Sequence, residues 1–136
     1  MPGTIHELAT FLHLAQTFWR QKKMSDRDRL LVLGGSLASE SGLSRIAAYC
    51  RQLVLQNNHG HMIRRWDSFA QALGDEDFMH FLRQLRRRFP LEKAESILSS
   101  FDIQLANERA TYFTDEEYAA AILGVDLDWL AQEFDE

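Results

Sequence analysis

Apolar residues return every three or four positions along nearly the whole chain. Ile5, Leu8, Leu12, Ala15 and Trp19 form the first stripe, widened by Phe11 and Phe18. That spacing predicts a helix laying one face on a core. Thr4-x-x-Glu7 opens it as a capping box, in which hydroxyl and carboxylate satisfy backbone amides reciprocally. Lys22 and Lys23 suit the negative end of its dipole. A second run, Leu30, Leu31, Leu33, Leu37 and Ala38, follows Ser25 and Asp26, either of which can cap a helix. Gly34-Gly35 lies inside that run. Two glycines cost about 2 kcal/mol relative to alanines in a helix interior. Either a neighbouring helix approaches closely there, or the helix breaks. Leu30–Leu33 alone also suits a short buried strand, but no partner strand is visible elsewhere.

Gly42 marks the next turn. A third helix starts near Ser41 or Ser44 and carries Ile46, Ala47, Cys50, Leu53 and Val54 on one face. Asn57-Asn58 and Gly60 predict its end, because Asn and Gly accept the left-handed conformation that closes helices. Trp66 reads as an apolar anchor on the way into a fourth helix, which Ser68-x-x-Gln71 opens and Gly74 stops. Asp75-Glu76-Asp77 opens a fifth, with Phe78, Phe81, Leu82, Leu85 and Phe89 facing inward and Pro90 ending it. Pro90 also suits the first position of a sixth helix, Leu91 to Phe101. Ile103–Ala110 reads as helical. Thr114-x-x-Glu117 caps a short helix stopped by Gly124, and Asp126 caps a final turn or two over Leu127–Phe134. The pattern predicts an all-α fold: a single compact domain, residues 1–136, of six to eight short-to-medium helices with short connections.

Composition agrees with this. A chain of 136 residues with 46% apolar content can bury one real core. Its longest uncharged stretch near the second helix, Leu30–Ser39, is too short to cross a bilayer, so no membrane partner is expected. The N-terminus lacks the basic and apolar regions of a signal peptide. A single cysteine makes no internal disulfide, which favours a cytoplasmic, reducing setting.

Charge changes the picture more. Residues 1–100 hold 14 basic and 10 acidic side chains, a net +4, whereas residues 101–136 hold one Arg and 10 acids, a net −9. The net −5 therefore hides a basic body and an acidic C-terminal helical segment. Arg64, Arg65, Arg86, Arg87 and Arg88 are the densest candidate anion-binding group, since guanidinium holds carboxylate or phosphate through paired hydrogen bonds. Bases in a last helical turn also serve the dipole, but three consecutive arginines exceed that need. The expected function is that of a non-enzymatic interaction or adaptor module without cofactor or metal. Its partner would be an acidic protein surface or its own acidic segment.

Two other readings compete. Ala38–Ser44 has the spacing of a helix-turn-helix turn, and the following helix would offer Arg45, Tyr49, Arg51 and Gln52 to nucleic acid. The arginine patch would serve the same partner. His59-x-His61 with Cys50 raises metal or thiol chemistry. Cys50, however, sits on the apolar stripe, where a thiol is a buried hydrophobe. No CxxC, HExxH, nucleophile elbow or phosphate loop accompanies it.

Overall fold

The computed structural model describes residues 4–105 and 108–134, and the described residues hold eight α-helices and no strand. They are α1 (Thr4–Arg20), α2 (Met24–Glu40), α3 (Ser44–Asn57), α4 (Phe69–Leu73), α5 (Glu76–Arg88), α6 (Leu91–Ser100), α7 (Asp115–Leu123) and α8 (Leu127–Glu133). Two 3-10 turns, Met62–Arg65 and Arg109–Thr111, precede α4 and α7. The buried apolar side chains form one cluster. No described helix is long and apolar enough to cross a membrane.

The centre is α2. Every residue from Leu30 to Ala38 is buried, so this helix has no solvent face along that stretch. Helices α1 and α3 pack along it as successive hairpins, and α4 and α5 cover it further. Helices α6 and α7 lie on α1, and α8 lies on α3 and α7.

The two glycines in α2 serve close approach, and the helix runs through them unbroken. A Cβ on Gly35 would stand 2.2 Å from Cε2 of Phe69, and one on Gly34 would stand 2.9 Å from Cδ2 of Leu12. Phe69 is thus seated directly on the α2 backbone, which fixes α4 against the core.

Most caps follow the sequence. Ser68 accepts from the Gln71 amide, Thr114 from Glu117, and Asp126 from Trp129. Asp75 caps α5 by accepting from Asp77, and its other oxygen accepts from the Trp66 indole at 3.2 Å. These two donors hold its carboxyl below the usual range. The cap expected at Thr4 adjoins residues 1–3, which lie outside the described residues.

Four expectations are corrected. Helix α2 begins at Met24 without a side-chain cap, and Asp26 pairs with Arg29 and Arg88 instead. Helix α3 closes without a left-handed residue: Asn58 is extended at φ −137, and Gly60 has no positive φ. Residues 103–105 form no helix, 106 and 107 lie outside the described residues, and only Arg109–Thr111 turns. Trp19, placed on the core stripe by periodicity, is 52% exposed, because Phe18 and not Trp19 takes the inward position in the last turn of α1.

Candidate anion-binding surface

Helix α1 ends without glycine. The Lys23 amide donates to the Phe18 carbonyl at 2.9 Å and the Lys22 amide to Trp19 at 3.0 Å. This is a Schellman closure, and it requires a left-handed residue, here Lys22 at φ 61. A side chain in that conformation costs about 1–2 kcal/mol relative to the right-handed helix. The two closing hydrogen bonds hold the Lys22–Lys23 turn in this geometry despite that cost.

Helix α5 ends in Arg86-Arg87-Arg88, and Pro90 sets the sharp entry to α6. The two helix ends meet through buried rings: Phe18 and Phe89 lie 6.2 Å apart, centroid to centroid. Cations gather around this pair. Lys23 Nζ is 6.0 Å from the Phe18 ring, while Arg88 and Lys93 lie 5.8 and 5.6 Å from Phe89. Lys93 Nζ also donates to the Arg88 carbonyl. Arg20, Lys22, Lys23, Arg87, Arg88 and Lys93 are all exposed. The local acids are Glu92 and the half-buried Asp26, which Arg29 and Arg88 share at 2.8 and 3.6 Å. A basic pole results, with the half-exposed Trp19 beside it in the last turn of α1.

The five arginines singled out by sequence do not converge. Arg87 and Arg88 stand in the basic pole. Arg86 reaches Glu40, at the C-terminus of α2, at 3.6 Å. Arg65 Nη2 pairs at 3.1 Å with Asp77 in the first turn of α5, with its guanidinium 4.8 Å from the Trp66 ring. Arg64 donates to the His59 carbonyl. Arg64 and Arg65 therefore sit near the opposite end of α5, about 15 Å along its axis.

Sequence reasoning did not place Trp19, Arg20, Lys22 and Lys23 in this surface. The signal lay in Arg20-Gln21-Lys22-Lys23, where three cations in four residues exceed what one helix dipole needs.

The expected docking of the acidic segment on the arginines has no counterpart among the described contacts. Helices α7 and α8 bury Tyr118, Ala119, Ala120, Leu123 and Leu130 in the core. Among the described residues of the segment, Glu108 hydrogen-bonds with the His13 ring, Glu116 pairs with Arg45, and Asp115 pairs with Arg109 within the segment itself. Leu130 is fully buried, so α8 is part of the core rather than a removable screen.

The helix-turn-helix reading loses its side chains. Tyr49 packs edge-on against Trp129 at 5.1 Å and meets Phe134 at 6.1 Å. Arg51 donates twice to the Trp66 carbonyl, at 3.1 and 2.8 Å, and Arg45 pairs with Glu116. Gln52 lines an open groove between α3 and α4, and so does Arg51.

Cys50, His59 and His61 form no shared centre, and no group of three metal-ligating side chains occurs among the described residues. Burial pushes the Cys50 thiol up to about 12, against a smaller opposing pull from Arg27. His59 is exposed. His61 Nδ1 accepts from the Ile63 amide, its ring packs on Phe81, and burial lowers its pKa. Arg27 and Asp28, both nearly buried, pair at 3.3 Å, and Asn57 donates to Asp28 at 2.7 Å. That polar knot ties α2 to the end of α3.

Compared with protein-family models, curated proteins and solved structures, the chain matches none.

Proposed function

We propose that this protein is a non-enzymatic interaction module that binds an anionic partner through the basic pole. The observation that carries the reading is the Phe18–Phe89 contact, which joins two basic turns some seventy residues apart in sequence into one surface. Six exposed cations there face two acids, so the local field is positive although the chain is net negative. Lys22 adds a second argument. A residue held at φ 61, where glycine would relieve strain, keeps a charge at the apex of the turn. The partner is recognised by repeated negative charge, as on an acidic protein surface. A nucleic-acid backbone presents similar chemistry without any base being read.

Heparin serves as the probe, in a titration at low and at high salt. Wild type is expected to bind at about 50 mM salt and to weaken steeply as salt rises. Lys22→Glu with Lys23→Glu should weaken binding by about tenfold or more, since each exchange reverses a charge inside the patch. Arg64→Glu with Arg65→Glu, an equal change in net charge at the other end of α5, should weaken it by about threefold at most. Equal losses in the two double variants would show a general charge effect, and absence of wild-type binding at low salt would remove the reading.

A further inference from the structure

The acidic segment carries a feature that its own fold leaves unused. Between α7 and α8 lies an open cleft of about 370 Å³. Its lining is mostly apolar, from Tyr112, Ala120, Ala121, Val125 and Leu127, and Glu117, Asp126 and Asp128 add three carboxylates. Asp126 gives one oxygen to the Trp129 amide. None of the three carboxylates is in a salt bridge among the described residues. The cleft is held rigid from both sides by the Thr114 and Asp126 caps and by the left-handed Gly124 between the helices. Helices α7 and α8 are anchored in the core through buried Tyr118 and Leu130.

We infer that this cleft receives the basic pole of a second copy of the chain, with Trp19 against its apolar lining and Arg20, Lys22 and Lys23 against its carboxylates. The inference rests on the reading of the pole as an anion-binding surface and names its partner. Three complementarities support it. The pole presents exposed side chains at two helix ends and the cleft is concave. The pole carries an indole 52% exposed to water, and the cleft offers an apolar lining. Three cations stand within four residues of Trp19, and three carboxylates line the cleft. Both sides are also preorganised, which lowers the ordering cost of association. The larger groove between α3 and α4 is a poorer receptor. Its charged lining is Arg51, already bonded to the Trp66 carbonyl, and Asp67, so it offers no net charge opposite to the pole. The contact joins two different patches and is therefore heterologous.

Sedimentation velocity of the full chain tests this. Wild type is expected to self-associate at low salt and to dissociate as salt rises. Trp19→Ala should weaken association about tenfold or more, as removal of a central aromatic anchor does. Lys22→Glu/Lys23→Glu and Glu117→Lys/Asp128→Lys should each be monomeric. Mixed together, the two double variants should form a 1:1 complex, because the first keeps an intact cleft and the second an intact pole. Circular dichroism checks that each variant is folded, and Trp19→Ala, at an exposed position, keeps the test open if a double variant unfolds. A wild type that binds heparin yet stays monomeric at low salt overturns the second-copy inference and leaves the reading of the pole standing. Loss of both removes both. Association that ignores Trp19→Ala, or a mixture that stays monomeric, also overturns the inference.

Discussion

The turns that enter and leave α2 share one backbone geometry and differ in every residue that shapes it. Leaving α2, the Leu43 amide donates to the Ala38 carbonyl at 2.8 Å and the Gly42 amide to Ser39 at 3.2 Å, with Gly42 at φ 80. Entering α2, Lys23 and Lys22 make the same two bonds to Phe18 and Trp19, with Lys22 at φ 61. Glycine takes the left-handed position in one turn and lysine takes it in the other. The residue after it, Leu43, packs on the core, whereas Lys23 places its ammonium near the Phe18 ring. The helix end before it is acidic in α2, at Glu40, and basic in α1, at Arg20. The first turn does only what closing a helix requires. The second gives up stability and keeps three cations exposed, and the proposed anion-binding role draws on this contrast.

Placing the lysine in the other turn has the largest expected effect on stability. Gly42→Lys should lower unfolding free energy by about 1 kcal/mol, because the left-handed cost exceeds the entropy recovered from the unfolded glycine. No atom lies within 4 Å of a Cβ built at Gly42, so the loss would come from the backbone alone. A denaturation midpoint unchanged from wild type would break the comparison.

The converse, Lys22→Gly, should raise stability by about 0.5–1 kcal/mol while reducing heparin affinity several-fold. The two changes run in opposite directions, which a purely structural role for Lys22 does not produce. A variant that loses both stability and affinity would show that Lys22 supports the fold.

A third closure of this kind separates strain from function. Helix α6 ends with the Ile103 amide donating to Leu98 and with Asp102 at φ 60. Asp102→Gly should therefore also stabilise, by about 0.5 kcal/mol, since aspartate tolerates the left-handed region better than lysine. Its heparin affinity should match wild type. A loss of affinity there would mean that relaxing any strained turn disturbs the pole.

What was legible in the sequence follows the same division. Local signals held: Ser68, Thr114 and Asp126 cap helices, and Gly42 and Gly124 close them in the left-handed form. Lys22 adopts that form with no residue type to announce it, while Asn58 advertises it and stays extended. The purpose of Gly34-Gly35 depended on Phe69, a tertiary neighbour more than thirty residues away in sequence. The surface was less legible than the fold. Neighbouring arginines along the chain suggested one patch, yet Arg65 is drawn to Asp77 and Arg86 to Glu40. The pole instead joins Lys22 to Arg88 through two phenylalanines that read simply as core. Charge clusters form by packing, and periodicity identifies which residues are buried without saying which buried residues meet.

The smallest expected effect concerns the residue after the left-handed position. In the α2–α3 turn that residue is Leu43, and its apolar contact is the usual companion of a Schellman closure. Lys23 substitutes a cation 6.0 Å from the Phe18 ring centroid, near the limit of a useful cation–π contact, at an exposed position. Lys23→Leu removes that weak attraction and supplies an apolar contact to the same ring, so the two terms nearly cancel. Stability should stay within about 0.5 kcal/mol of wild type. The charge has no such compensation. It is one of six exposed cations in the pole, and its removal should reduce heparin affinity by about two- to threefold and flatten the salt dependence by about one ionic contact. A shallower salt slope at unchanged stability would place Lys23 in the binding surface. An unchanged slope would restrict that surface to Arg20, Lys22 and the α5–α6 side.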